Sequence, residues 1–363
     1  MKSPQNRPVR ERKTGIICFR VPPTVEAQLS EYLAESPGVK SIDRIARKIV
    51  VEALEKREKH RSLAELNVNN LPGHTVLLGD AEEVLSRLPA GSFAACITSP
   101  PYWKKRDYGH PEQLGREHSP EQYVERLARV LMEVHRVLKD DGTLWLNIDD
   151  SYRYGELAGI PWRLALELQR RGWCWRGEIV WAKTPKPEAV KNRPTRAHEP
   201  LLMFSKRRDY FYDYEGVLEP HDNPYTLDCL QKAQKAGVNA RPKANVFKAE
   251  ERQAKGSRGI SRAEMGALMN PAGKNGRDVW SITPARDAAT HSAVMPVELA
   301  ERCIKATTKP GDVVLDPLCG SGTTGIATLK LGRRFLGIEL VPRFVRLANE
   351  KLEAARKAGL KPT

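Results

Sequence analysis

A chain of 363 residues that is 40% hydrophobic and 29% charged has the composition of about two globular domains, at roughly 150 residues each. It excludes global disorder, a collagen repeat and a disulfide-stapled miniprotein. Sixty Lys and Arg against 45 Asp and Glu leave a net charge of +15, which points to a polyanionic partner, nucleic acid before an anionic membrane surface. No apolar run approaches the roughly 18 residues of a membrane span, and the polar, basic N-terminus lacks a signal peptide's apolar centre, so a cytoplasmic chain is expected. The six cysteines (Cys18, Cys96, Cys174, Cys229, Cys303, Cys319) form no CxxC pair, so neither a metal site nor a disulfide framework is expected.

Residues 1–14 carry five positive charges against Glu11 and read as a disordered basic arm. Residues 15–65 form a small unit of their own. Gly15–Val21 is a β-branched and aromatic run ended by Pro22-Pro23, and Thr24 caps a helix to about Glu35. After the Pro37-Gly38 turn, Ser41 caps a second helix whose Ile42, Ile45, Ile49, Val50 and Leu54 share one face. One strand and two helices cannot satisfy their strand edges or bury their apolar faces alone, which argues for a partner copy. The pattern resembles the ribbon-helix-helix DNA-binding family, whose paired strands enter the major groove. Alternation places Ile16, Cys18 and Arg20 outward, and of these only Arg20 suits the reading of bases. The alternative is a dimerisation module that touches no bases.

From Leu71 the pattern alternates strand and helix, predicting one doubly wound α/β catalytic domain over residues 66–363. Strands are expected at Thr75–Leu78, Ser92–Thr98, Thr143–Ile148, Gly177–Trp181, Val313–Leu315 and Phe335–Ile338. Helices are expected from Ser119 to about Leu138, near Pro296–Ala306, from about Thr323, and at the end as far as Lys357. The first has a complete start signal, with Ser119 as cap, Pro120 at the first helical position and Gln122 three residues after the cap. After Tyr214 the alternation fails. Residues 231–262 hold nine Lys and Arg against Glu250 and Glu251, an inserted and partly mobile basic lobe within about 215–280.

Two segments carry chemistry. In Val313-Val-Leu-Asp-Pro-Leu-Cys-Gly-Ser-Gly-Thr-Thr-Gly325, three glycines at GxGxxG spacing follow a strand and open a helix, and Glu339 ends the next strand. Such glycines admit a ligand to the backbone and such an acid holds ribose hydroxyls, needs common to any adenosine cofactor. Asp316-Pro317 ahead of the glycines decides between cofactors, because a carboxylate at the strand tip welcomes an ammonium group and repels a pyrophosphate. S-adenosylmethionine has the ammonium and lacks phosphates, so it is favoured over NAD.

The second segment is Ala94-Ala-Cys-Ile-Thr-Ser-Pro-Pro-Tyr-Trp103, a buried strand that ends in a stiff loop at the carboxyl edge of the sheet. Such a loop suits an exocyclic amino group, whose lone pair is delocalised into its ring until acceptors hold its protons. Ser99 Oγ and the Pro100 carbonyl are candidate acceptors, Pro101 stiffens the loop, and Tyr102 can stack on a base turned out of its helix. Alone, Ser-Pro-Pro-Tyr is equally an ordinary turn.

With both segments in one chain, residues Leu71 to Leu352 resemble the DNA amino-methyltransferases of the permuted β arrangement, where the catalytic segment precedes the cofactor segment. The fold this implies is a Rossmann-like doubly wound methyltransferase sheet with a basic insertion, preceded here by the small ribbon-helix-helix-like module. Ser99, Pro100, Pro101 and Tyr102 match the family's catalytic segment, and Asp316, Pro317, Cys319, Gly320, Ser321 and Gly322 match its cofactor segment. Glu339 fits the ribose-binding acid, Asp80 the acid near the adenine and amino edge, and His291-Ser-Ala-Val-Met-Pro296 the lining of the cofactor's methionine end. Arg106-Asp-Tyr-Gly109, Asp141-Gly-Thr-Leu-Trp-Leu-Asn147, Arg193-Pro-Thr-Arg-Ala-His-Glu199 and Asp278-Val-Trp-Ser281 are further similar stretches.

The basic lobe takes the place of the target-recognition region, with Lys243, Lys248, Arg252, Lys255 and Arg258 as candidate phosphate contacts beside Arg193 and Arg196. In the family, Ser-Pro-Pro-Tyr goes more often with cytosine N4 than with adenine N6, so N4 is expected and N6 is the alternative. Cytosine C5 is disfavoured, because that chemistry needs a Cys nucleophile and no Pro-Cys occurs.

Asp149-Asp150 looks like a paired-carboxylate site, although methyl transfer to an amino group needs no metal and a loop acid after a strand is ordinarily solvated. His198 reads as structural or near phosphate, and Arg193 and Arg196 as DNA contacts or surface ion pairs. The expected protein is a sequence-specific methyltransferase of double-stranded DNA, of restriction-modification type and from a bacterium, archaeon or phage. It uses S-adenosylmethionine without a metal and forms a homodimer through its N-terminal module. A DNA-binding regulator with a degenerate enzyme domain is disfavoured because both loops are intact, and the same chemistry on RNA is the remaining rival.

Overall fold

The apolar runs of the sequence condense into one eight-stranded sheet flanked by helices. In this computed structural model the described residues are 68–183, 191–237, 261–287 and 292–358, all within the unit Leu66–Thr363. The basic arm, the 15–65 module with Arg20, the lobe residues Lys243, Lys248, Arg252, Lys255 and Arg258, and His291 lie outside the described residues.

The first half of the chain forms β1 (His74–Leu78), α1 (Ala81–Leu85), β2 (Phe93–Thr98), α2 (Pro120–Val137), β3 (Leu138–Asn147), the hairpin strands β4 (Tyr152–Arg153) and β5 (Glu156–Leu157), α3 (Ile160–Arg170), β6 (Cys174–Ala182) and β7 (His198–Ser205). After α4 (Pro224–Lys235) and α5 (Arg262–Leu268) come β8 (Val279–Ser281), the short pair β9 (Ala285–Asp287) and β10 (Ser292–Val294), α6 (Val297–Thr307), β11 (Val313–Asp316), α7 (Thr323–Lys330), β12 (Arg334–Glu339) and α8 (Pro342–Lys357). Helix α2 starts as expected, with Ser119 Oγ accepting from the Gln122 N–H at 3.3 Å and Tyr123, Leu127, Leu131 and Val134 fully buried.

The strand order is β1-β12-β11-β2-β3-β7-β6-β8. The first five strands are mutually parallel, β7 runs against both β3 and β6, and β8 lies parallel to β6. All six residues of β2 are buried, the signature of a central strand covered on both faces. After β2 the chain turns toward β3 on one side, whereas after β11 it turns toward β12 on the other. The carboxyl ends of β2 and β11 therefore flank the switch point, where open α/β sheets hold their ligands.

Strands β3 and β6 exceed their expected lengths most, because pairing, not local hydrophobicity, sets their ends. β6 begins at Cys174 and runs to Ala182 because its register with β7 extends from Cys174–Ser205 to Ala182–His198. β3 begins at Leu138, opposite Phe93 and ahead of a register shift. The hairpin β4–β5, helix α3 and strand β7 were not anticipated. The expected insertion contains α4 and α5, which pack together, before β8 returns to the sheet edge. Beneath the parallel strands the core joins Ile97, Trp145, Leu201, Leu299 and Val314. Among the described residues no helix is long and apolar enough to cross a membrane.

Candidate active site at the switch point

The two chemistry-bearing segments, far apart in sequence, meet because β11 pairs with β2 through Val314–Ala95 and Leu315–Cys96. Thr98, the last residue of β2, donates from Oγ1 to Asp316 Oδ1 at 2.7 Å. Thr324 donates to Asp316 Oδ2 at 2.7 Å and the Leu318 N–H to Oδ1 at 3.2 Å. The buried Asp316 carboxylate thus ties the end of β2 to the glycine loop. Burial pushes its pKa up to about 6, against the opposing pull of these hydrogen bonds.

Glu339 ends β12 with Oε2 accepting from the Gly320 N–H at 2.9 Å and Oε1 from the Val341 N–H at 2.8 Å, and burial raises its pKa. Gly320 and Gly322 have φ of 51° and 85°, left-handed values suited to glycine. A Cβ built on Gly320 meets nothing within 4 Å, so the loop presents bare backbone to open space. On Gly325 it would lie 2.7 Å from side-chain atoms of Leu352 and Phe335, so this third glycine serves helix–strand packing. Cys319 packs with Phe335 and Leu352, the small buried residue that the sequence suggests.

Beside the loop lies a recess of about 290 Å³ lined by Asp80, Pro317, Leu318 and Leu340 among others. Asp80 also caps α1, accepting from the Glu83 N–H at 3.0 Å. The recess's Arg126 and Arg129 are paired with Glu117 and Glu82, so the donor set offers acids and bare backbone, with no cation left over for a pyrophosphate. An adenosine cofactor bearing an ammonium fits this chemistry. Ser99 and Tyr102 do not line the recess; they sit on the β2 side of the switch point.

On that side Ser99 Oγ donates to Asn147 Oδ1 at 3.3 Å and lies 3.3 Å from Tyr102 Oη. Tyr102 Oη donates to Glu199 Oε2 at 2.9 Å, and Asn147 Oδ1 lies 3.0 Å away. Glu199 also accepts from Asn147 Nδ2 at 3.2 Å and pairs with Lys183. Burial first and the Glu199 charge second push the Tyr102 pKa well up, so the phenol stays protonated. Tyr123 Oη holds the Pro101 carbonyl at 2.8 Å, whereas no donor among the described residues reaches the Pro100 carbonyl. Sequence reading missed Asn147 and Glu199 as site residues. Each belonged to a recognised stretch, but their contacts needed β3 and β7 to pair.

Asp150 is not a solvated loop acid. It is buried and accepts from the N–H groups of Ser151, Gly159 and Ile160, because the chain folds back over it to start α3. Asp149 pairs with Lys105 at 3.4 Å and with Arg196 at 2.9 Å. Arg193 lies 4.0 Å over the Tyr152 ring, and His198 is exposed at the start of β7. The thiols of Cys96 and Cys319 are buried, which raises their pKa values well above normal. Neither is a thiolate nucleophile of the kind C5 chemistry needs.

Two acids and a bare glycine turn on one side of a switch point, with a rigid loop of acceptors on the other, define an α/β transferase that sets an adenosine cofactor against an amino group. The chain belongs to the N6/N4 DNA methylase family, whose profile matches residues 93–350. It is 39% identical over 313 residues to the type II methyltransferase M.XycI of Xanthomonas campestris pv. cyanopsidis, covering 78% of this chain and 89% of that one. To the type II methyltransferase M.SmaI of Serratia marcescens it is 35% identical over 314 residues, covering 78% and 92%. Among solved structures, a DNA modification methylase of Thermus thermophilus complexed with S-adenosyl-L-methionine aligns with a TM-score of 0.50 and 28% identity, covering 78% of this chain and 95% of that one.

Proposed function

We propose that this DNA methyltransferase moves a methyl group from S-adenosylmethionine to N4 of a cytosine turned out of duplex DNA, within a specific sequence. One observation carries the reading. Ser99 Oγ donates to Asn147 and Tyr102 Oη to Glu199, so the Ser99 oxygen lone pairs and the Pro100 carbonyl, which no donor among the described residues reaches, can accept the two protons of an amino group. Held this way, the amino nitrogen gives up conjugation with its ring and its lone pair becomes available. The choice of cytosine rests on Ser99 itself, a neutral hydroxyl at the first position of the loop, as in the N4-type segment it resembles.

The cofactor supplies an electrophilic methyl group, open to in-line displacement. Glu339, Asp80 and the Gly320–Gly322 turn would hold its adenosine, and Asp316 its ammonium side. The bond from Thr98 to Asp316 ties the end of β2 to the glycine loop, which supports a fixed register between acceptors and cofactor of the kind that makes a displacement effectively unimolecular. Asn147, Glu199 and Lys183 keep Tyr102 upright beside Ser99. The lobe cations Lys243, Lys248, Arg252, Lys255 and Arg258 would track phosphates. The 15–65 segment with Arg20 would pair two chains on DNA, and sedimentation of the full chain as a monomer would refute that pairing.

Incubation with labelled S-adenosylmethionine and duplex DNA, followed by nucleoside mass spectrometry, tests the reading. N4-methylcytosine is expected. N6-methyladenine would refute the choice of base, and label confined to RNA would refute the choice of substrate.

A further inference from the structure

The β4–β5 hairpin is unexplained by anything above. Its strands pair Tyr152 with Leu157 and Arg153 with Glu156, leaving Tyr154 and Gly155 as a two-residue turn with φ of 52° and 85°. Turns with positive φ at both positions favour Asn-Gly or Gly-Gly, and a tyrosine there is strained. Its ring gains little in return, since Tyr154 is 90% exposed, the most exposed large hydrophobic side chain among the described residues, and meets its neighbour Arg153 at the surface. A strained, solvent-facing aromatic at a hairpin tip has the features of a side chain kept for a partner.

The hairpin is also firmly tied to the catalytic loop. Ser151 Oγ donates to the carbonyl of Trp103, the residue after Tyr102. Asp150 fixes both ends of the excursion by accepting from Ser151, Gly159 and Ile160, and the Ala158 N–H closes it onto the Ser151 carbonyl at 2.9 Å. The Arg153 guanidinium lies 5.9 Å from the Trp103 ring and 5.0 Å from the Tyr154 ring, so the tip stands one side chain away from the loop that holds the target. Arg193 over Tyr152 adds a second cation at the hairpin's base. An aromatic edge flanked by guanidinium groups complements a stack of bases between phosphates.

We propose that this hairpin enters duplex DNA beside the target and that Tyr154 stacks in the gap vacated by the flipped base, with Arg153 and Arg193 toward the adjoining phosphates. Filling the gap offsets the unstacking that flipping entails, so its value is greatest on a fully paired duplex and small where the target is already unpaired. The inference rests on the base-flipping reading above.

The test uses single-turnover methylation by the full chain of a duplex built on the site that the wild-type enzyme modifies in plasmid DNA. Its companion is the same duplex with an abasic position opposite the target. Tyr154→Ala and Tyr154→Asn should each slow the matched duplex roughly tenfold or more, the worth of about one base–aromatic stack. On the abasic duplex they should cost less than about threefold, and Tyr154→Trp should keep both rates. Asn suits the turn's positive φ, so its loss cannot be ascribed to poor folding. Equal losses on both duplexes, or none on the matched one, would overturn the proposal. Failure of the wild type to modify any plasmid DNA would instead refute the methyltransferase reading on which the proposal rests, and the nucleoside formed reports separately on the choice of base.

Discussion

Replacing Asp316 with Asn separates what this carboxylate costs from what it does. The group is 3% exposed and its pKa rises from 3.8 to about 6 on folding, mainly through burial. A native pKa above the unfolded value means that the native state holds the proton more tightly. Its contribution is therefore most favourable below about pH 4 and is lost as pH rises through about 6. Keeping the ionised form buried costs about 3 kcal/mol near neutral pH.

Asn at this position retains an oxygen for Thr98 and Leu318, while the Thr324 hydroxyl can turn to the Ile97 carbonyl, 3.4 Å away. Asp316→Asn should accordingly be more stable than the wild type at pH 8, by up to about 3 kcal/mol. From pH 8 to pH 5 the gap should narrow by about 1.4 kcal/mol as the wild type takes up its proton. Affinity for S-adenosylmethionine should fall, because an amide cannot balance an ammonium. Urea unfolding at pH 5, 6, 7 and 8 with calorimetric cofactor titration measures both. A stability difference that does not change with pH, or that widens toward pH 5, would refute the argument that burial dominates this group.

Ser99→Ala should lower kcat about a hundredfold while cofactor affinity stays within about twofold, since the acceptor acts on the amino group as it is attacked; titration and single-turnover rates read the split. Glu199→Leu should destabilise the fold by about 2 kcal/mol in urea, because it takes the carboxylate from the half-buried Lys183 ammonium and leaves the Asn147 amide only the Pro200 carbonyl as acceptor. Gly325→Ala should cost about 1–3 kcal/mol by the same measurement, as the added methyl meets Leu352 and Phe335 at 2.7 Å.

Local features were legible in the residues themselves. The capped start of α2, the largely apolar β2 and the strand–glycine–helix element at β11 each follow from side chains within about a dozen positions of one another, where periodicity and backbone stereochemistry act. The acids at the tips of β11 and β12 were legible for the same reason. Asn147 and Glu199 were not, because neither has a chemical signature of its own: an Asn at a strand end and a Glu before a Pro are ordinary until β3 and β7 lie side by side. The hairpin tip escaped for the opposite reason, since Tyr154-Gly155 departs from the turn residues that usually announce such a turn.

The sequence by itself determined which residue types are present and at what spacing: a Ser-Pro-Pro-Tyr loop after a buried strand, an acid and glycine turn opening a helix, and an excess of cations outside them. It did so because such features are set by residue type and short spacing. Tertiary structure alone decided that Thr98 and Asp316, 218 positions apart, share a hydrogen bond and that Asp316 is a buried clamp. It also decided that the loop acid Asp150 anchors a hairpin. Strand order is a global choice, made by which apolar faces bury best together against the entropy of loop closure, and no local pattern records it.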